Sequence, residues 1–218
     1  MGNRIFEFCE EEYYHVYNRG VEGRNIFEDS NDLDRFWKSL KLFNDKKVIG
    51  SIYEKSFEEI PEVDNRKELV DIICYCLNPN HFHLLLKQKE ERGISTFMHR
   101  IGGYTWFFNH KHKRKGSLFQ GAFKAKHIEN NDYLLHVSAY INLNSRVHQL
   151  GGETAKLSES SWDEYTKEKV ASPLCKTRDI LEQFANKKEY REFCEDSLEL
   201  MLSTKEEAKE LRTLMLED

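Results

Sequence analysis

The stretch LNPNHFHLLL, residues 77–86, decides the fold and contains the first candidate site. Asn-Pro-Asn at 78–80 is a turn sequence between two apolar segments, which predicts a β-hairpin. Because successive side chains of a strand point to opposite faces, His81 and His83 lie together on one face. Two neighbouring imidazoles at the start of a strand can bind a divalent metal ion. The alternative is an incidental histidine pair on a half-buried strand.

The segments on either side of this hairpin alternate between strand and helix patterns. The predicted elements are a strand at 12–19, a helix capped by Ser30 or Asn31, a short strand at 48–53, a charged loop or hairpin at 54–67, the hairpin strands at 69–77 and 81–87, a helix at 95–111, a strand after Gly116 and a helix from Asn131 to Gly151. This order predicts an α+β fold, a ferredoxin-like split β-α-β arrangement whose antiparallel sheet carries helices on one face.

Two glycine pairs interrupt these patterns. Gly102-Gly103 lies within the second predicted helix and indicates either a kink or a close contact there. After Gly151-Gly152 the composition shifts toward Ser, Glu and Lys. We therefore predict a domain over residues 1–150 and an acidic helical extension over 151–218, with two polar helices in 179–217.

Length and composition predict a soluble globular chain. The 218 residues are 39% hydrophobic and include no apolar run of the length, about 18 residues, that a membrane helix needs. The N-terminal residues lack the basic start and apolar region of a signal peptide, so a cytoplasmic location and no membrane partner are expected. The five cysteines include no C-x-x-C pair and are expected to be reduced thiols.

Charge is unevenly distributed along the chain. The net charge is −5, but residues 151–218 hold 17 acidic against 11 basic side chains. The segment 92–128 contains no acid and interleaves aromatic with basic residues. Basic side chains neutralise phosphates and aromatic faces stack on unpaired bases, so the segment favours a single-stranded nucleic acid. The alternative is a solvated basic helix end beside core aromatics. The candidate DNA-binding residues are Arg19, Arg100, Lys111, Lys113, Arg114, Lys115, Lys124 and Lys126.

A third pattern lies on the last predicted helix of the domain. At 100° per residue, Tyr133, Tyr140 and Asn144 share one polar edge. Such a tyrosine pair is often packing, but a tyrosine oxygen beside a cation can attack a phosphodiester. His81 and His83 would supply two ligands, and the carbonyl oxygen of Asn144 a third. Mixed nitrogen and oxygen ligands suit Mg²⁺ or Mn²⁺, and a zinc site is the alternative.

Three blocks carry a family resemblance: YYHVYNRG at 13–20, YCLNPNHFHLLLK at 75–87, and the stretch 115–144 that ends in YINLN. In this order, over about residues 12–148, they resemble the single-tyrosine HUH transposases, especially the REP-associated tyrosine transposases. The resemblance implies cleavage of single-stranded DNA beside small hairpins, with a 5′-phosphotyrosine link and a free 3′-OH.

The resemblance also assigns roles to four residues. His81 and His83 match the metal ligands, Tyr140 the nucleophile, and Asn144 the polar ligand four residues later. The family usually has Asn-Pro at this point, whereas this chain has Asn144-Ser145, so the helix can end differently. The charged segment 54–67 and the acidic extension are further departures.

These observations predict a metal-dependent DNA transposase that nicks and rejoins single strands. Tyr140 attacks phosphorus, and the 92–128 segment guides DNA together with Arg19. Tyr133 is the rival nucleophile, and the protein acts as a monomer or homodimer. Two alternatives stay open: a regulator that binds single strands without turnover, and a metal-dependent phosphodiesterase in which water attacks.

Overall fold

An antiparallel sheet forms the centre of the computed structural model, which describes residues 7–47, 67–148, 150, 152 and 156–214, with side chains through residue 206. Its strands are β1 Tyr13–Arg19, β2 Val70–Asn78, β3 His81–Gln88, β4 Lys124–His127 and β5 Glu159–Ser160. The α-helices are α1 Ser30–Leu42, α2 Gly93–Gly102, α3 Tyr104–Lys111, α4 Asn131–Asn142, α5 Asn144–Val147, α6 Trp162–Thr166, α7 Arg178–Leu181 and α8 Lys187–Leu214.

The strand order in the sheet is β4-β1-β3-β2-β5, with every neighbouring pair antiparallel. Strand β3 lies between β1 and β2, so the strands on either side of α1 in the chain are not neighbours. This is the predicted split arrangement, and the α+β class is confirmed. The hairpin of β2 and β3 turns at Pro79-Asn80, where the sequence placed it.

Helices cover both faces of the sheet, not the one face that was expected. On one face, Phe36 of α1 packs in a core with Leu84 of β3, together with α2 and α3. On the other face, Val137 of α4 and Tyr190 of α8 share a second core with Leu85. Strand β3 contributes to both cores because the successive residues Leu84 and Leu85 point to opposite faces and both are buried. This is typical of strands whose two faces are both covered.

Helix α1 begins one residue earlier than the sequence suggested. Its cap is Asp29, whose side chain accepts from the backbone N–H of Asp32, rather than Ser30 or Asn31. The helix predicted at 95–111 is divided at Gly103 into α2 and α3, which confirms the kink.

The strand expected after Gly116 is short. Of the stretch after Gly116, only Lys124–His127 forms a strand paired with β1, and Phe119 makes an isolated bridge with Gly20. Gly121 has a φ of 136°, a conformation that favours glycine and interrupts the extended run. The expected strand at 48–53 and nearly all of the loop at 54–67 lie outside the described residues.

The helix that carries Tyr140 breaks at Leu143, although the sequence predicted one helix to Gly151. The side chain of Asn142 is buried there: its Nδ2 donates to the Tyr190 hydroxyl at 2.8 Å, and its Oδ1 accepts from Ser161 Oγ at 2.6 Å. These bonds fix the last turn of α4, and α5 starts at Asn144.

The C-terminal segment packs on α4 and α5. Arg146 forms two hydrogen bonds of 2.6 Å with Glu195, and Lys205 donates to the carbonyl oxygen of Val147. Of the predicted anchors, Ile180, Tyr190 and Leu198 are buried. One long helix, α8, replaces most of the two helices expected in 179–217. Among the described residues, no helix combines the length and apolar character needed to cross a membrane.

Candidate active site

Strand pairing gathers the polar residues of three strands on one face of the sheet. Tyr17 pairs with His83, and Arg19 pairs with His81, in the β1–β3 register. On the other side of β3, Asn78 pairs with His81. Residues directly opposite each other in an antiparallel pair share a face, so these side chains form one cluster. Helices α4 and α5 lie over the same face.

His83 is buried, with 8% of its surface exposed. Its Nδ1 lies 2.8 Å from Nε2 of His15, a residue that the sequence did not single out. Burial, with a smaller contribution from nearby imidazoles, holds the pKa of His83 well below its ordinary value. Burial lowers the pKa of His15 to about 4. Both rings are therefore neutral near pH 7, which is the state in which an imidazole nitrogen can bind a metal.

The hydrogen bonds of His81 define which of its nitrogens carries a proton. Nδ1 lies 2.6 Å from Oδ1 of Asn80, whose Nδ2 donates to the carbonyl oxygen of Gly23. The oxygen of Asn80 therefore faces the ring, and Nδ1 of His81 is the donor. Burial lowers the pKa of His81, so Nε2 keeps a lone pair. The Nδ2 of Asn78 donates to that nitrogen at 3.0 Å.

Asn144 places a second lone-pair atom against this nitrogen. Its Oδ1 lies 3.0 Å from Nε2 of His81 and accepts from Asn78 Nδ2 at 2.7 Å. The neutral ring has no proton to place between Nε2 and Oδ1. Two donors of a divalent metal at about 2.1 Å each are about 3 Å apart when they bind at a right angle. The residues present therefore fit a divalent cation, and the ring centre of His83, the next candidate ligand, lies 5.2 Å from that of His81.

Tyr140 lies beside this cluster. Its ring centre is 5.5 Å from that of His83 and 6.1 Å from that of His15. Burial raises the pKa of the Tyr140 hydroxyl, and the side chain of Asn144 acts in the opposite direction. Tyr133 lies elsewhere on α4, with the ammonium of Lys126 4.7 Å from its ring. The structure thus brings Tyr140 to the histidines and Tyr133 to the basic strand β4.

An open cleft of about 730 Å³ leads to the cluster. Two of the predicted DNA-binding residues, Arg19 and Lys124, line it together with His81 and His83. The other candidates lie outside its lining: Lys113 and Lys115 are exposed after α3, Arg114 lies over the ring of Phe108, and Lys126 is exposed on β4.

Two predicted DNA contacts are structural residues instead. Arg100 is 8% exposed, and its guanidinium donates to the carbonyl oxygens of Phe43, Asp45 and Lys47. It holds the chain that follows α1, and the expectation that it contacts DNA is wrong because it is buried. The Lys111 ammonium is half-buried and bound to two carboxylates, so it too is already paired.

The partners of Lys111 form a cluster that resembles a metal site. Oxygen atoms of Asp29 and Asp32 and a nitrogen of His112 lie close enough to share one ion. The Lys111 ammonium lies 2.6 Å from Asp29 and 2.7 Å from Asp32 and supplies the positive charge there. Because Asp32 is fully buried and also bonded to His112, we interpret the cluster as an ion-pair network that ties α1 to the end of α3.

Replacing Arg100 by alanine tests its structural role. We expect the free energy of unfolding to fall by about 3 kcal/mol, since buried carbonyl oxygens lose their donors at roughly 1–3 kcal/mol each. Urea denaturation of the full chain measures the change. The matched control is Lys115→Ala, an exposed basic residue of the same segment, which should change stability by less than about 0.5 kcal/mol. Equal stability of both variants would contradict the role.

Sequence reasoning missed several members of the cluster, namely His15, Tyr17, Asn78, Asn80 and His148. A signal existed for the first two, because His15, Tyr17 and Arg19 alternate along β1 as His81 and His83 do along β3. His148 follows Asn144 by one helical turn, and its ring lies 5.2 Å from that of His81.

Comparison with known proteins finds similarity to transposases in this region. The family model described as IS200-like transposase matches residues 40–144. No curated protein sequence matches the chain. Among solved structures, one described as a REP-associated tyrosine transposase bound to a REP hairpin superposes with a TM-score of 0.53. At 12% identity, covering 77% of this chain and 87% of that one, it shows a shared fold. The segment 40–144, which holds His81, His83, Tyr140 and Asn144, therefore matches the IS200-like transposase model, which confirms the resemblance predicted from the sequence.

Proposed function

We propose that this chain nicks and rejoins single-stranded DNA beside hairpins through a phosphotyrosine link to Tyr140. The observation that carries the proposal is the pair of lone-pair atoms, His81 Nε2 and Asn144 Oδ1, that face each other at 3.0 Å beside Tyr140. The match of residues 40–144 to the IS200-like transposase model supports the reaction class. The hairpin bound to the structurally similar transposase supports the kind of substrate.

In the proposed reaction the Tyr140 oxygen attacks a backbone phosphorus in line with the 3′ oxygen. The new bond is a 5′-phosphotyrosine ester, and the bond from phosphorus to the 3′ oxygen breaks. The phenol loses its proton to solvent in the open cleft, and the departing 3′ oxygen takes one up. Because the ester conserves the energy of the phosphodiester, a second 3′-OH can reverse the step and join strands without ATP.

Mg²⁺ or Mn²⁺ is the proposed cofactor, held by His81, His83 and Asn144. When bound, it would draw negative charge from the non-bridging phosphate oxygens during attack. Burial raises the pKa of Tyr140, so its hydroxyl is protonated at neutral pH and gains reactivity only where positive charge is near. Arg19 and Lys124 on the cleft lining would contact the phosphates that enter.

The active site is proposed to be complete within one chain. Tyr140 and His83 belong to the same chain and their rings are 5.5 Å apart, so the tyrosine needs no partner subunit to reach the histidines. This supports the monomer among the two expected states. We also propose that residue 150 is a functional boundary, because all the candidate residues for catalysis, metal binding and DNA binding lie before it. The expected cytoplasmic location suits a protein whose substrate is cellular DNA.

A gel assay with two labels tests the proposal. The substrate is a pool of single-stranded oligonucleotides, each with a short hairpin flanked by random bases, incubated with the full chain and Mn²⁺. We expect the 3′ label to migrate with protein on a denaturing gel and the 5′ label to appear on a shorter free fragment. EDTA should abolish both products, because the metal ligands then hold no cation.

Other outcomes have definite meanings. Cleavage without a protein-linked label would favour attack by water, and retention of the pool without cleavage would favour a binding regulator. A protein-linked 5′ label would contradict the proposed polarity. Undiminished cleavage in EDTA would overturn the role of the metal.

A further inference from the structure

We propose that His15 is a positioning residue that keeps Nε2 of His83 free of hydrogen and so able to bind a divalent cation. The inference rests on the proposed function, because it concerns a residue that hydrogen-bonds to one of the proposed metal ligands. It concerns a residue of β1, far in sequence from the hairpin that carries the ligands.

The contact between the two rings is direct and buried. Nε2 of His15 lies 2.8 Å from Nδ1 of His83, and both side chains are at most 9% exposed. The ring centres are 5.0 Å apart. The other groups around His15 are the ring of Tyr17 at 5.1 Å and the ring of Tyr140 at 6.1 Å, and the positive charge of Lys126 also acts on it.

Two neutral imidazoles at this distance share one hydrogen. If His83 donates it from Nδ1, its Nε2 carries a lone pair and can ligate. If His15 donates it from Nε2, the hydrogen of His83 is on Nε2 and that nitrogen cannot ligate. A cation on His83 therefore requires the first arrangement, in which His15 is the acceptor.

His81 has a hydrogen-bond acceptor at its Nδ1 in the same way. Asn80 Oδ1 accepts from Nδ1 of His81 at 2.6 Å and leaves Nε2 of that ring unprotonated. Each histidine of the pair thus has its own acceptor at Nδ1: Asn80 for one and His15 for the other. Metal-binding histidines usually have such an acceptor on the second nitrogen, which fixes the ring and its tautomer. A buried imidazole is costly without a partner, so packing alone does not explain a histidine at residue 15.

Metal binding in the absence of DNA tests the role. We expect His15→Phe, which keeps ring volume and removes the acceptor, to weaken Mn²⁺ binding by about 10–100-fold in titration calorimetry. His15→Gln retains an amide oxygen and should recover part of that loss. The matched control is His127→Phe: His127 is a β4 histidine whose ring packs on Tyr14 and whose Nε2 contacts Glu12, and its loss should leave Mn²⁺ affinity unchanged.

A second measurement reports the tautomer itself. In nitrogen NMR of the Mg²⁺-loaded chain, wild-type His83 should show hydrogen on Nδ1, and His15→Phe should show an increased fraction with hydrogen on Nε2. A merely structural residue would not shift this ratio. Circular dichroism confirms that each variant is folded, and if His15→Phe does not fold, the wild-type tautomer still decides: hydrogen on Nε2 of His83 would overturn the proposal.

The results separate this inference from the proposed function. Wild-type affinity for Mn²⁺ in a folded His15→Phe variant, or no binding by the wild type, would overturn the role of His15. Mn²⁺ binding that depends on His15, without any DNA adduct, would support the role and contradict the proposed reaction.

Discussion

Tyr140→Phe is expected to lower formation of the covalent DNA adduct by at least about 10³-fold, because the variant lacks the only oxygen that the side chain can offer phosphorus. The ring remains, so its packing near His83 and His15 should persist. Adduct formation is measured on denaturing gels with 3′-labelled hairpin DNA and Mn²⁺. Mn²⁺ affinity should stay within a few-fold of wild type.

The control for this prediction is Tyr133→Phe. Tyr133 lies two turns earlier on α4, where its ring is covered by Lys126. It should form adducts at a rate close to wild type. An adduct that persists in Tyr140→Phe and disappears in Tyr133→Phe would exchange the roles of the two tyrosines. Persistence in both would exclude the whole helix edge as the source of the nucleophile.

His81→Ala is expected to weaken Mn²⁺ binding by at least about 100-fold. Loss of a residue that only hydrogen-bonds to a metal ligand usually weakens binding by about 10–100-fold, and loss of the ligand itself should cost more. The variant removes one of the two atoms that face each other across 3.0 Å and leaves Asn144 Oδ1 without its counterpart. Cleavage at a fixed, low Mn²⁺ concentration should fall in proportion. Titration calorimetry gives the affinity, and the hairpin gel gives the cleavage.

A histidine outside the site provides the comparison. His110 is exposed on α3, where its ring stacks on Trp106 at 5.0 Å. His110→Ala should bind Mn²⁺ like the wild type. If His81→Ala also binds Mn²⁺ like the wild type, the cation is held elsewhere, and the interpretation of the histidine pair is wrong.

The local part of the site was predictable from the sequence. The turn at 78–80 and the two-residue period of His81 and His83 depend only on neighbours in the chain. The contact of His83 with His15 depends on the pairing of β1 with β3, strands 68 residues apart at this point. No periodicity within one segment reveals that register, which explains why the partner was missed.

Two other errors have the same physical origin. Arg100 looked like a DNA contact because its charge is visible in the sequence, whereas its three carbonyl partners lie more than 50 residues away. The break in the helix with Tyr140 was missed because the hydrogen bond beside it, from Asn142 to Tyr190, joins residues 48 apart in the chain.

The bonds between α8 and the end of α4 have a practical meaning for protein engineering. Asn142 is held by Tyr190, and Arg146 by Glu195, on either side of Asn144. If the proposed phosphotyrosine link were used to attach proteins to DNA, a shortened chain would naturally be cut at the glycines near residue 151. Such a cut would remove the supports of Asn144 and open the core beneath Val137, so a useful tag should retain α8.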